Sequence, residues 1–276
     1  MDWRKYKAII LPDYDMIPDI LATKLDSYVR HGGTLIVVGR SGLRDGELEK
    51  RGGFPLECMG IERLLTVRED MRASYLLVEE AMQAGGLAET ELVYLDGPYL
   101  YAEYAEGVEE HNQLIPPHNY GPPERCYYEV VTDHPGVVVN AYGQGKAVFI
   151  PWLPGALYHR QGHTNTLDWV QVVLKDLAGL DPLGGNLSPM IEATVFENRA
   201  GGYQLVQLVN GSGHFGTSFF APIPATGLSV SIPCRWPPKG VIRVATGEPV
   251  EYEHADGTLT IAVDKLDLFA AFKVDL

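Results

Sequence analysis

Residues 6–39 confine the fold more tightly than any other part of the chain. "YKAIILP" (6–12) is a short apolar run stopped by proline, and "TLIVVG" (34–39) is a second run, rich in β-branched residues and without a polar face. Between them Ile20, Leu21, Leu25, Tyr28 and Val29 recur at the 3.6-residue period behind Pro18, and Gly32-Gly33 stands at the C-cap end. Strand, helix and strand in so short a span make a βαβ unit, which crosses over right-handed. A strand apolar on both faces is what a parallel sheet covered by helices requires.

The rest of the chain divides in two. "GFPLECMGIERLLTV" predicts a short helix and a turn, and "ASYLLVEEAMQAGGLAE" a helix with a glycine stop. The pairs Pro116-Pro117 and Pro122-Pro123 predict a long surface loop over 111–127. "GVVVNAYGQGKAVFIPW" (136–152) is a hairpin around Gly143-Gln144-Gly145, followed by a helix over 165–178 with Leu167, Val170, Leu174 and Leu177 as its apolar stripe. After Gly184-Gly185 only strand-like runs occur, among them "YQLVQLVN", "LSVSIP", "TLTIAV" and "LFAAFKV", separated by Gly, Pro and Asp-Gly turns. The expected organisation is an α/β domain over 1–184 and a small all-β sandwich over 185–276.

Charge narrows the class of partner. With 22 basic and 36 acidic residues the 276-residue chain carries a formal −14, so it lacks the basic face that nucleic acid or an anionic membrane demands. The start "MDWRKYKAIILPDYD" has neither the apolar length nor the cleavage site of a secretory signal, which makes the cytoplasm the expected compartment. Cys58, Cys126 and Cys234 are far apart and odd in number, and read as separate reduced thiols.

The candidates for chemistry are few. Gly39-Arg40-Ser41-Gly42 turns the chain where an α/β sheet presents the carboxyl end of a strand, a common place for a nucleophile. The nucleophile elbow G-x-S-x-G needs glycine two residues after the serine, and Leu43 stands there, so a turn serine is the preferred reading. His159 and His163 have the i,i+4 spacing of a metal pair, but Gly162 lies between them and no HExxH acid accompanies them. No phosphate-cradling glycine motif is present, and no metal or cofactor is expected. The tyrosine-dense stretch 94–128, with Tyr99, Tyr101 and Tyr104, offers rings for packing, for a subunit interface or for stacking on sugars.

"YKAIILPDYDMIPDILATKLDSYVRHGGTLIVVGRSGLRDG" resembles the start of the β-galactosidase trimerisation domain, which follows the catalytic barrel in glycoside hydrolase family 42. "VVVNAYGQGKAVFIPWLPGALYHRQGH" is similar to a later part of that module, and "LVQLVNGSG" with "APIPATGLSVSIP" to the small β-sandwich that ends many such proteins. The resemblance implies the flavodoxin-like, mostly parallel sheet of class I glutamine amidotransferases. Their catalytic cysteine follows the strand equivalent to "TLIVVG"; Gly39-Arg40-Ser41 holds none, so that role is not carried over. It also implies strands before "YKAIILP", so the sheet is expected to be smaller than usual, completed by another chain, or cut by truncation. The expected function is a non-catalytic, oligomerising accessory portion of a glycoside hydrolase-like protein in carbohydrate metabolism. Its partners would be sister subunits, a catalytic barrel or carbohydrate, and its contact residues Arg40, Ser41, Asp45, Tyr99, Tyr101, Tyr104, Tyr158 and His159. The alternatives are a free-standing hydrolase using Ser41 or His159/His163, and a carbohydrate-binding module.

Overall fold

Strand β1 (Ala8–Pro12) pairs in parallel with β2 (Thr34–Val38), and helix α1 (Asp19–Arg30) joins them. Leu25, Tyr28 and Val29 turn the apolar face of α1 inward as the periodicity predicts, with Leu21 at the margin, but Ile20 in the first turn is 73% exposed and does not join the face. The chain can re-enter the sheet at once because Gly33 has no side chain: a Cβ there would lie 2.3 Å from the ring of Tyr28. The computed structural model describes residues 3–118, 121, 127–181 and 183–276, which fall into two compact units, 1–181 and 182–276.

In the first unit β3 (Ile61–Arg68), β4 (Ser74–Leu77), β5 (Leu92–Leu95), β6 (Tyr99–Tyr104), β7 (Glu109–Ile115), β8 (Pro135–Tyr142) and β9 (Gly145–Ile150) follow. A seven-stranded sheet runs in the order β1-β2-β9-β8-β7-β4-β5, and β3 with β6 forms a separate antiparallel ribbon. Only the β1–β2 and β2–β9 pairings are parallel; the other four are antiparallel. The expected mostly parallel sheet is therefore corrected to a mixed one in a mainly β structure. A parallel neighbour needs a long crossover, which α1 supplies between β1 and β2, whereas Gly143-Gln144 folds β9 straight back on β8.

Two further expectations change. Residues 73–89 do not form a helix: Ser74, Leu76 and Val78 are buried in alternation, the period-2 pattern of a strand, and only short 3-10 turns at Glu80–Met82 and Gly85–Leu87 follow. The predicted loop over 111–127 begins inside β7, in the body of the sheet. Pro122-Pro123 and Cys126 lie outside the described residues.

The sheet has an apolar core on each face. On one side Ile36, Val148, Leu114, Trp152 and Trp169 are sealed beneath α2 (Pro154–Gln161) and α3 (Thr164–Val172), which continues as a π turn over Val173–Leu177 before Gly179 (φ 73°). On α3 and the π turn the buried positions are Thr166, Trp169, Val172 and Val173, with Val170, Leu174 and Leu177 at the margin, a stripe rotated from the one expected. On the other side Leu25, Val29, Leu35, Val37, Phe149 and Leu100 pack together.

The second unit contains β10 (Gly184–Gly185), β11 (Ile191–Asn198), β12 (Tyr203–Asn210), β13 (His214–Phe215), β14 (Ser218–Phe219), β15 (Ala225–Pro233), β16 (Gly240–Arg243), β17 (Tyr252–Ala255), β18 (Thr258–Leu266) and β19 (Phe269–Asp275). Two antiparallel sheets, β10-β15-β18-β17 and β11-β12-β19-β16, share one core. Val206, Leu208, Phe272 and Val274 from one sheet meet Val230, Ile232, Leu259 and Ile261 from the other. The β13–β14 hairpin belongs to neither sheet.

Candidate functional site

The turn after β2 is where sequence reasoning looks first. Gly39 takes φ 63°, and a Cβ there would lie 2.3 Å from Leu153 and 2.7 Å from the Asp13 carboxylate, so glycine is required. Ser41 is fully buried. Its Oγ accepts the Tyr14 N–H at 2.8 Å and lies 2.8 Å from the Val38 carbonyl and 3.0 Å from that of Leu11, so its hydrogen-bonding capacity is taken up by backbone. A nucleophile needs a base and an open face; no histidine touches Ser41, and solvent does not reach it. The free-standing hydrolase built on Ser41 is corrected to a structural serine that ties three segments together.

Arg40 points the other way, to Asp13 at the end of β1. Its Nη2 meets Oδ2 at 2.7 Å and its Nε meets Oδ1 at 3.2 Å, while its backbone N–H also donates to Oδ1 at 2.8 Å. Burial works to raise the Asp13 carboxyl, and the side-chain and backbone hydrogen bonds of Arg40 outweigh it, holding the group below the usual carboxylate range. Glu69 adds a longer contact at 3.4 Å. Asp45 does not join this group: its Oδ1 accepts the N–H groups of Glu47 and Glu49 in a local turn.

The tyrosines line up inward. Tyr99 is fully buried, donates to the Pro135 carbonyl at 2.7 Å and meets Tyr101 edge-on at 4.8 Å; Tyr101 in turn meets His134 edge-on. Tyr104 is half-buried. As a ligand contact Tyr99 is corrected to a core residue, because its ring and hydroxyl are both already engaged. Tyr158 is half-buried on α2 and His159 is exposed beside it. The helix ends at Gln161 with Gly162 left-handed, so His159 and His163 fall on different elements and the i,i+4 geometry is lost. Among the described residues no group of three or more metal-ligating side chains occurs, and no helix is long and apolar enough to cross a membrane.

Sequence reasoning missed a polar cleft of about 510 Å³ where β4 and β7 part. His111 Nδ1 lies 2.6 Å from Glu79 Oε1, and Glu109 approaches its other nitrogen at 3.9 Å. Burial, followed by the charge of Asp133, pushes the Glu110 carboxyl up. Beside them Asn112, only 2% exposed, holds φ 59° and accepts the Trp169 indole N–H at 2.6 Å. That bond fixes the amide orientation, since an indole can only donate. No local pattern in "EEHNQLI" announces this arrangement, because Trp169 arrives from a helix far along the chain.

The most open feature is the sheet edge. Ile10, Ile36 and Val148 form one row across three strands; Ile36 and Val148 are buried, but Ile10 at the rim is 49% exposed. Tyr6 and Tyr14, just outside β1, are 44% and 47% exposed. Nothing among the described residues pairs with the free side of β1.

Residues 1–172 match the family described as the β-galactosidase trimerisation domain. Over 188 residues the chain is 26% identical to the β-galactosidase BgaP of Planococcus sp. (strain L4), an alignment covering 66% of this chain and 24% of that one. In structure it is similar to α-L-fucosidase isoenzyme 2 from Paenibacillus thiaminolyticus, with a TM-score of 0.71 and 22% identity over 100% of this chain and 41% of the other. It is also similar to β-galactosidase from Bacillus circulans sp. alkalophilus, with a TM-score of 0.59 and 18% identity over 99% and 34%. At such identities these structures speak for the fold alone. The chain spans about a quarter of the length of the curated relative named above.

Proposed function

The chain belongs to the β-galactosidase trimerisation domain family, and we propose that it serves as the non-catalytic, oligomerising portion of a glycoside hydrolase-like protein in carbohydrate metabolism. The observation that carries this reading is the rim of the sheet: β1 offers unpaired backbone groups and the apolar side chain of Ile10, which a neighbouring subunit or a catalytic barrel would cover. Arg40 and Asp13 stiffen the turn at the same end of the strands as Tyr14. In this reading the glycosidic carboxylates belong to a barrel, and galactosides or fucosides are the substrate class of the whole protein.

The parallel β1-β2-β9 segment with its α1 crossover supports reading the first unit as a reduced relative of the flavodoxin-like amidotransferase sheet, in a domain over 1–184. The two sheets sharing one core support a β-sandwich over 185–276. The buried free thiols of Cys58 and Cys234 suit a reducing compartment such as the cytoplasm. The tyrosines engaged inside the first unit speak against a sugar-stacking platform there.

Incubation of the chain with nitrophenyl β-galactoside and α-L-fucoside tests the reading. No release of nitrophenol is expected; turnover that disappears in Ser41→Ala would overturn it.

A further inference from the structure

The second unit carries an apolar surface that lies outside the residues matched to the trimerisation family. Its centre is the β13–β14 hairpin and the segment after it, where Phe215, Phe219, Phe220 and Ile223 are 79%, 82%, 67% and 74% exposed. The rings are not held by either sheet, and an isolated two-stranded hairpin is at best marginally stable in water. The surface is continuous with the end of the β11-β12-β19-β16 sheet. The Asn210 side chain donates at 2.9 Å to the carbonyls of both Ile223 and Asp267, and its backbone N–H donates to Leu268, so Ile223 is anchored beside Leu268 (58% exposed) and Phe269 (53%).

Charge identifies the occupant. Between Arg199 and Arg235 the sequence contains no Asp, Glu, Lys or Arg, in a chain that is 21% charged and carries a formal −14. Lys265 and Asp267, beside Leu268 in the chain, pair with each other at 2.8 Å. Two copies of so acidic a protein repel each other wherever their carboxylates face. A neutral apolar patch is the surface on which they can meet without that repulsion, and a two-fold pairing sets the patch against itself. The size also fits. Large aromatic side chains bury about 150–250 Å² each, so these residues supply on the order of the ~800 Å² per partner that a stable interface needs.

We propose that the β13–β14 hairpin, with Phe220, Ile223, Leu268 and Phe269, is a self-association surface at which two copies of this chain pair through their second units. It is separate from the β1 edge and does not depend on it.

The test is hydrogen exchange of the full chain at low and high micromolar concentration, together with sedimentation velocity of the wild type, Phe215→Ser/Phe219→Ser and Ile10→Lys. Both phenylalanines are largely exposed, Phe219 stacking on His214 of its own hairpin, and neither belongs to a core, so the double variant is expected to fold normally. Exchange in 211–224 should slow as concentration rises, and the double variant should abolish that effect and weaken association at least about tenfold. Phe196→Ser, an exposed ring elsewhere in the unit (54%), should change neither. Exchange in 211–224 that ignores concentration overturns the proposal, as does association untouched by the double variant. If association survives the double variant and falls with Ile10→Lys, the hairpin is excluded and the β1 reading stands. The reverse pattern keeps the hairpin and excludes the edge. Co-flotation with phosphatidylcholine vesicles without self-association would assign the patch to lipid and overturn the proposal.

Discussion

The Ser41 hydroxyl accepts the backbone N–H of Tyr14 at 2.8 Å, binding the turn after β2 to the segment after β1. Ser41→Ala leaves that N–H without an acceptor in a site with no solvent, while the Val38 carbonyl keeps the Asp13 N–H. A buried group without its partner costs about 1–3 kcal/mol. Urea denaturation should show a loss of that size, and a variant as stable as the wild type would contradict the structural role.

Asp13→Asn keeps an acceptor for the Arg40 backbone and removes the charge. A carboxylate held below its usual range contributes stability that is present above the unfolded pKa and is lost as pH falls through the folded one. Both partners are partly exposed, so the expected loss at pH 7 is about 1 kcal/mol. Denaturation at a series of pH values should show wild type and variant converging in acid. A difference that does not shrink below pH 4, roughly the unperturbed Asp value, would contradict the ion pair.

Glu110 behaves in the opposite sense. Its raised carboxyl means that the folded state binds the proton more tightly than the unfolded chain, so ionising it costs stability as pH rises. Glu110→Gln should therefore stabilise at neutral pH, by about 0.3 kcal/mol because the group is largely solvated, and the gain should vanish in acid. Destabilisation at pH 7 would show that the carboxylate has a favourable partner instead.

At Asn112 two variants separate backbone from side chain. Asn112→Gly accepts φ 59° but strands the Trp169 indole, at about 1–3 kcal/mol. Asn112→Ala loses the same bond and adds left-handed strain of about 1 kcal/mol more. Equal thermal unfolding of the two would mean that the backbone there is not strained.

What could be read from the chain follows from how local each cause is. The β1-α1-β2 unit is legible because its apolar period, Pro18 and Gly33 lie within a few turns of one another. The strand at Ser74–Leu77 is not, because the helix formers after it, "EEAMQA", outweigh a four-residue alternation until β5 and β7 flank it. The sheet's direction is hidden for the same reason: β7 pairs with β8 and with β4 across long stretches of chain, so their antiparallel sense is set by distant partners and not by local residue types. At the turn after β2 the sequence reads Ser41 as a turn serine but does not reveal its reach, since Leu11 and Tyr14, which also bond its hydroxyl, come from the end of β1 and the segment after it. Nothing local marks Asp13 among the 36 acidic residues, because its partner Arg40 comes from the turn after the next strand.

The oligomerising role proposed for this chain rests on the exposed rim at β1, where another copy would sit. Sedimentation equilibrium of the full chain, beside Ile10→Lys, tests it most directly. An assembly heavier than the 30.4 kDa of a single chain is expected, reduced in mass by a lysine at the rim. A wild type that stays at 30.4 kDa across the micromolar range, or an assembly indifferent to Ile10→Lys, would contradict it.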